Sequence, residues 1–115
     1  MTLTDFKSKY NLVGSLLENI TINKEPESII LEIDFCYWQQ ADFIDGDKET
    51  GIVELHFSEC SQCDISNHRI NSDEIVKVEF KENSIDICVE SDLTNNYHHI
   101  VISALNVEFV ELWKN

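Results

Sequence analysis

Residues 29–37 read IILEIDFCY, and this stretch decides the fold class. Apolar and polar side chains alternate with a period of two, so Ile29, Leu31, Ile33 and Phe35 share one face of an extended chain. Their polar neighbours share the other face. Because one face is apolar and the other polar, this alternation is typical of antiparallel sheets that pack on one side only. The stretch therefore predicts a half-buried antiparallel strand.

The same period of two returns along most of the chain. The further strand segments are residues 20–22, 53–57, 76–80, 85–89 and 97–104. Residues 105–113 fit either a strand or one face of a helix, and their content of Val and Phe favours a strand. The chain is therefore built mainly from short strands.

Short connections between these segments predict antiparallel hairpins. Residues 23–26 include Pro26, whose fixed φ suits a turn, and residues 81–84 form a second tight connection. Two longer loops are expected at Gln39–Thr50 and Cys63–Glu74. The outer faces of the strands also carry apolar residues, namely Ile30, Ile75 and Trp38.

The N-terminal residues predict a short helix over Thr4–Tyr10, capped by Thr4, with Phe6 and Tyr10 on one side. We therefore expect one all-β (or β-dominated α+β) domain over residues 1–115. About seven or eight strands would form an antiparallel meander, folded as a two-layer sandwich or a partly open barrel.

The charge of the chain restricts its partners. Asp and Glu number 22 against 8 Lys and Arg, so the formal net charge is −14. Nucleic acids and anionic membranes require basic residues and are not expected as partners, whereas a basic protein would be attracted. The start of the chain lacks a secretory signal, so we expect a cytoplasmic monomer or homodimer with reduced thiols at Cys36, Cys60, Cys63 and Cys88.

One motif carries possible metal chemistry. Cys60 and Cys63 have the two-residue gap of a zinc-binding turn, and His56 and His68 flank them. However, closed zinc sites usually use two ligand pairs from separate turns, and only one is present. We therefore expect no metal or other cofactor, and a small zinc-binding structural domain remains the alternative. The adjacent His98 and His99 point to opposite faces of a strand and cannot share one metal.

The acidic loop after the first strong strand is the best candidate for a binding site. Its spacing does not match a calcium-binding EF-hand, and a turn at Asp45-Gly46 is expected instead. No nucleophile elbow, phosphate loop or metalloprotease motif is present, so we expect no enzyme. The candidate partner contacts are an aromatic anchor and the carboxylates that follow it: Trp38, Asp42, Asp45, Asp47 and Glu49.

The segment LEIDFCYW at residues 31–38, followed by GIVELHF at residues 51–57, resembles small bacterial proteins grouped with the immunity proteins of polymorphic toxin systems. Members of that group open with a segment that reads Leu-His-Asp-Ser-x-Ile. Where its His-Asp-Ser would fall, this chain has Val13-Gly14-Ser15, so only Ser15 matches. The resemblance implies a non-catalytic cytoplasmic protein that binds and neutralises a cognate toxin. A basic toxin is compatible with the acidic charge of this chain.

Overall fold

The computed structural model describes residues 1–24, 27–65, 70, 72–91 and 96–112. These residues form one short helix and six strands. The elements are α1 (Leu3–Lys9), β1 (Leu16–Lys24), β2 (Glu27–Cys36), β3 (Thr50–Ile65), β4 (Asp73–Lys81), β5 (Ser84–Glu90) and β6 (Tyr97–Glu111). A single 3-10 turn, Tyr37–Gln39, follows β2. The predicted β-dominated fold with a short N-terminal helix is confirmed.

The strands form a barrel with the order β1-β2-β3-β6-β5-β4, and all described neighbours are antiparallel. Two three-stranded meanders are joined side by side through β3 and β6. The barrel closes where β1 meets β4, with Leu16 opposite Glu74 and Leu17 opposite Asp73. The closing pairing is short, whereas the pairing of β3 with β6 that joins the two meanders is the longest in the barrel.

Some strand boundaries differ from the sequence prediction. Residues 97–104 and 105–111 belong to one long strand, β6, so the described chain has fewer strands than the seven or eight expected. Strand β3 continues through Cys63 to Ile65, and the predicted loop therefore begins later. Both pairings expected from the tight connections are present, since β1 pairs with β2 and β4 pairs with β5. Trp113 lies outside the described residues.

The helix α1 covers one end of the barrel through an aromatic cluster. Phe6 is fully buried, and its ring lies 5.0 Å from that of Tyr10. Tyr10 stacks on Phe109 of β6 at 4.2 Å and meets Phe35 of β2 edge-on at 6.1 Å. These contacts connect the N-terminal segment to the ends of two strands. They stabilise the connection because aromatic rings bury large areas and favour stacked and edge-on arrangements.

The helix cap was assigned to the wrong threonine by the sequence prediction. Thr2, in an extended conformation, is the N-cap, and its side-chain oxygen accepts a hydrogen bond from the Asp5 amide. The helix begins at Leu3. Leu3 and Phe6, three residues apart on one helix face, are both buried in the core, which favours this starting point. Thr4 therefore lies within the first helical turn.

A β-bulge corrects the predicted position of Ile75. The pairing of β4 with β5 shifts between Ile75 and Lys77, so Val76 is an extra residue. Because a bulge changes which face the next side chain occupies, Ile75 points inward and is fully buried. The outward orientation expected for Ile75 is wrong, whereas Trp38 is exposed as expected.

Candidate partner-binding surface

The loop between β2 and β3 presents two large apolar side chains beside four carboxylates. Trp38 in the 3-10 turn is 52% exposed, and Ile44 near the loop tip is 68% exposed. Between and after them lie exposed carboxylates: Asp42, Asp45, Asp47 and Glu49. The structure thus places all five predicted contact residues on one exposed loop. Ile44 is a sixth candidate that the sequence analysis did not select.

The base of this loop is held by the side chain of Gln40. Its Oε1 accepts a hydrogen bond from the Asn11 amide, and its Nε2 donates to the Asn11 carbonyl, both at 2.8 Å. Nε2 also donates to the carbonyl of Cys36 at 2.9 Å. In addition, the Trp38 amide donates to the Glu49 carbonyl at 3.2 Å, which joins the two ends of the loop. These bonds hold the loop against the segment that follows α1.

Gly14 makes room for this arrangement. Its φ of +90° is in the region that favours glycine, and a Cβ at this position would overlap the side-chain amide of Gln39. The Cys36 thiol donates to the Gly14 carbonyl at 3.2 Å, and the Cys36 amide donates to the buried Ser15 hydroxyl at 3.0 Å. The segment before β1 and the start of the loop are therefore closely packed.

The loop tip turns where the sequence predicts. The Asp47 amide donates to the Ile44 carbonyl at 3.0 Å, which closes a four-residue turn around Asp45 and Gly46. Gly46 has a φ of +99°, as the third residue of a type II turn requires, and open space surrounds it. The turn therefore projects Ile44, Asp45 and Asp47 away from the barrel.

Negative charge surrounds the aromatic cluster at the base of the loop. Burial raises the pKa of Tyr10 above its ordinary value, and the carboxylates of Glu111 and Asp42 raise it further. The Tyr37 hydroxyl donates to Glu111 at 2.9 Å. The Asp42 side chain thus acts on the same region as Glu111, which extends the acidic surface from the loop to the end of β6.

Carboxylates also continue from the loop onto the hairpin itself. Residues 27–60 include β2, the loop and the first part of β3. They carry one lysine, Lys48, and nine carboxylates. The carboxylates are Glu27, Glu32, Asp34, Asp42, Asp45, Asp47, Glu49, Glu54 and Glu59. Glu32 lies directly opposite Glu54 across the two strands. Like charges at such positions repel each other. This face is therefore acidic at some expense of stability.

A like-charged pair on the opposite part of the barrel has more contacts with basic side chains than Glu32 and Glu54 have. Glu79 also lies opposite a carboxylate, Asp86, but Lys77 is 2.7 Å from Glu79 and His99 is 2.8 Å from Asp86. The neighbouring Lys77 lowers the pKa of the exposed Glu79 carboxyl. On the β2–β3 face the corresponding contact is His56 to Glu54 at 2.9 Å. The Glu79–Asp86 pair therefore has two contacts with basic side chains and the Glu32–Glu54 pair has one. Residues 73–90, with six carboxylates and two lysines, are also acidic.

The described structure does not bring His56 together with Cys60 and Cys63 of the predicted alternative metal site. His56 faces outward and contacts Glu54, whereas Cys60 belongs to the buried core and Cys63 packs against it. His68 lies outside the described residues. Among the residues that the structure describes, no group of three or more His, Cys, Asp or Glu side chains is placed to hold a metal. The zinc-binding alternative stays a prediction, and metal analysis of the protein purified in reducing buffer tests it.

His98 and His99 occupy different environments, as the strand alternation predicts. His98 is half-buried and His99 is exposed, with its Nδ1 2.8 Å from Asp86. Adjacent residues on a strand point to opposite faces, so the pair cannot form one site.

No family model matches this chain, and no curated protein or solved structure matches it. No helix among the described residues has the length and apolar character needed to cross a membrane. The strand order and the packing of α1 define the fold as a six-stranded antiparallel barrel with a helix across one end. Its most distinctive surface is the acidic β2–β3 hairpin with exposed Trp38 and Ile44.

Proposed function

We propose that this protein is a non-enzymatic binding module whose acidic β2–β3 hairpin contacts a basic protein partner. The observation that carries the proposal is the exposure of Trp38 and Ile44 beside Asp42, Asp45 and Asp47 on an anchored loop. Protein interfaces concentrate binding energy in a few aromatic or apolar anchors, surrounded by polar groups. Trp38 and Ile44 would be the anchors here, and the carboxylates would form the surrounding rim.

Anchoring of the loop supports this role. A loop that is ordered before binding loses less conformational entropy on association, so more of its contact energy contributes to affinity. The two hydrogen bonds between Gln40 and Asn11 and the bond from the Trp38 amide to the Glu49 carbonyl provide such ordering at the base of the loop. The exposed tip keeps its side chains available for contact.

The excess of carboxylates supports a basic partner. Complementary charge accelerates encounter between proteins and makes association depend on salt concentration. The resemblance of residues 31–38 and 51–57 to immunity proteins supports a toxin as that partner, in the cytoplasm. A toxin that acts on nucleic acid has a basic groove, and the acidic hairpin would occupy the groove in place of phosphates.

The proposal is tested by capture of partners on the tagged protein from its own organism, with elution by increasing salt and identification by mass spectrometry. We expect a basic protein to be released at high salt in near-stoichiometric amount. The loop variant Asp42→Asn/Asp45→Asn/Asp47→Asn should release it at lower salt, and Trp38→Ala should lose most of it.

A matched control removes three carboxylates elsewhere, by Glu74→Gln/Glu82→Gln/Glu90→Gln. These residues lie on or between β4 and β5. If the control variant and the loop variant released the partner at the same salt concentration, total charge and not the hairpin would govern binding. Retention of the partner by Trp38→Ala at wild-type level would remove Trp38 as an anchor.

A further inference from the structure

Two irregularities in β3 place Cys60 and Cys63 on the same face of the strand. In a regular strand, residues three apart point to opposite faces. Here Glu59 has a φ of +54°, and the pairing with β6 shifts between Cys60 and Gln62, so Ser61 is an extra residue. As a result, Cys60 is buried and Cys63 is half-buried against the same core. Strained residues and bulges are concentrated at functional sites.

Both thiols line a cavity of about 360 Å³ between β1, β2 and β3. Its apolar wall includes Ile22 and Ile29, which lie opposite each other across β1 and β2. Ile29 is buried, but Ile22 is 51% exposed, so the cavity is accessible from solvent on the β1 side. The mouths of β-barrels are common positions for ligand sites. The cavity thus offers a route to two cysteines on one wall, of which Cys60 is buried and donates its thiol hydrogen to the Phe57 carbonyl at 3.6 Å.

The spacing of the two cysteines leaves room for an ion between their sulfur atoms. Their partners on β6, Ala104 and Ile102, are two residues apart, so the cysteine Cα atoms are separated by about 7 Å along the strand. This separation is near the upper limit of about 6.8 Å for a disulfide, whose Cβ atoms lie about 4 Å apart. An ion placed in line between two thiolates holds the sulfur atoms about 4.6 Å apart, twice a metal–sulfur bond of about 2.3 Å.

We propose that Cys60 and Cys63 bind one soft monovalent metal ion, Cu(I), through their two sulfur atoms. Thiolates select soft ions, and two-coordinate binding needs no third protein ligand. Binding displaces one proton from each thiol to solvent, so the neutral dithiol and the cation form a site of net charge −1. No electron is transferred in this step.

The surroundings of the thiols oppose their ionisation, so binding of the cation must displace both protons. Burial raises the pKa of Cys60, and nearby Glu27 raises it further, while burial and then the neighbouring Cys60 raise the pKa of Cys63. Both thiols therefore carry protons near neutral pH in the metal-free protein. Because two protons leave on binding, affinity should fall by about 100-fold for each unit that the pH is lowered.

The test is anaerobic titration of the reduced protein with Cu(I) in competition with bicinchoninate. We expect one Cu(I) per chain, with the proton dependence given above. Cys63→Ser, at the half-buried position, should lose this binding, and Cys60→Ala should do the same without leaving a polar group in the core. Circular dichroism verifies the fold of each variant. The matched controls Cys36→Ser and Cys88→Ser remove thiols that lie away from the cavity and should bind as the wild type does.

Several results would overturn the proposal. Unchanged Cu(I) stoichiometry in the Cys60→Ala/Cys63→Ser variant would place the binding elsewhere. Tighter binding of Zn²⁺ than of Cu(I), weakened by Glu27→Gln, would indicate a divalent site with a carboxylate ligand. The acidic loop is not involved, so this result is independent of the proposed partner binding.

Discussion

The side-chain amide of Gln40 pairs with both backbone groups of Asn11, accepting from its N–H and donating to its carbonyl at 2.8 Å each. This pairing has the form of a short piece of β-ladder made by one side chain. It connects the loop after β2 to the segment between α1 and β1. The position of Trp38, two residues earlier, therefore depends on a residue near the N-terminus.

Replacing Gln40 tests this connection directly. Gln40→Glu keeps the shape of the side chain but removes both N–H donors and places a carboxylate against two carbonyls. We expect the free energy of unfolding to fall by about 1–3 kcal/mol, as measured by urea denaturation. The control Gln62→Glu, at an exposed strand position, should change stability little. An unchanged free energy of unfolding in Gln40→Glu would contradict the role of the pairing.

Two glycines with similar backbone conformations give a second test. Gly14 and Gly46 have φ values of +90° and +99°, but an added Cβ would overlap Gln39 only at Gly14. Gly46→Ala should therefore cost about 1 kcal/mol of stability from backbone strain alone. Gly14→Ala should cost more, because the Gln39 side chain must also move. Equal losses on thermal unfolding would show that the Gln39 contact is unimportant.

The cross-strand pair Glu32 and Glu54 predicts a stabilising substitution. Glu32→Gln removes the repulsion while leaving the contact between His56 and Glu54, and should raise the free energy of unfolding by about 0.2–1 kcal/mol at low salt. The gain should shrink as salt is added, because screening weakens the repulsion in the wild type. Asp34→Asn is the control, since Asp34 lies opposite Ile52. An equal gain from Asp34→Asn would attribute the effect to total charge.

The buried thiols predict loss of stability at alkaline pH. Burial raises the pKa of all four cysteines above the ordinary value of 9.0. An unfolded chain ionises at that ordinary value, whereas the folded chain retains its thiol protons to higher pH. The stability from these groups is therefore complete below about pH 9 and is lost as pH rises through the folded-state pKa values.

Urea denaturation between neutral pH and about pH 10 measures this effect. The double variant Cys60→Ala/Cys88→Ala should lose less stability than the wild type over the alkaline range. Tyr10, whose pKa burial also raises, accounts for part of the remaining slope. Parallel curves for the two proteins would show that thiol ionisation does not contribute.

Much of the fold follows from local pattern, but several details of the site do not. The alternation correctly predicts β2 up to Cys36, whereas Tyr37, expected to continue the strand, begins the 3-10 turn. Asp45-Gly46 correctly predicts the loop turn. The role of Gln40 was not predicted, because it depends on how the loop packs against Asn11. The exposure of Ile44 was not predicted either. Cys63 was predicted at the start of a loop but lies within β3. This was missed because bulges and strained φ values leave no clear signal in sequence.

The sequence by itself determined the antiparallel strands, the short helix and the acidic charge of residues 27–60, because these arise from neighbouring residues and from composition. Only the tertiary structure decided that Glu32 faces Glu54, that Gln40 pairs with Asn11, and that two cysteines share one face. The physical reason is strand register. Register is set by contacts between segments far apart in the chain, and one extra residue in a strand changes the face on which the following side chains lie.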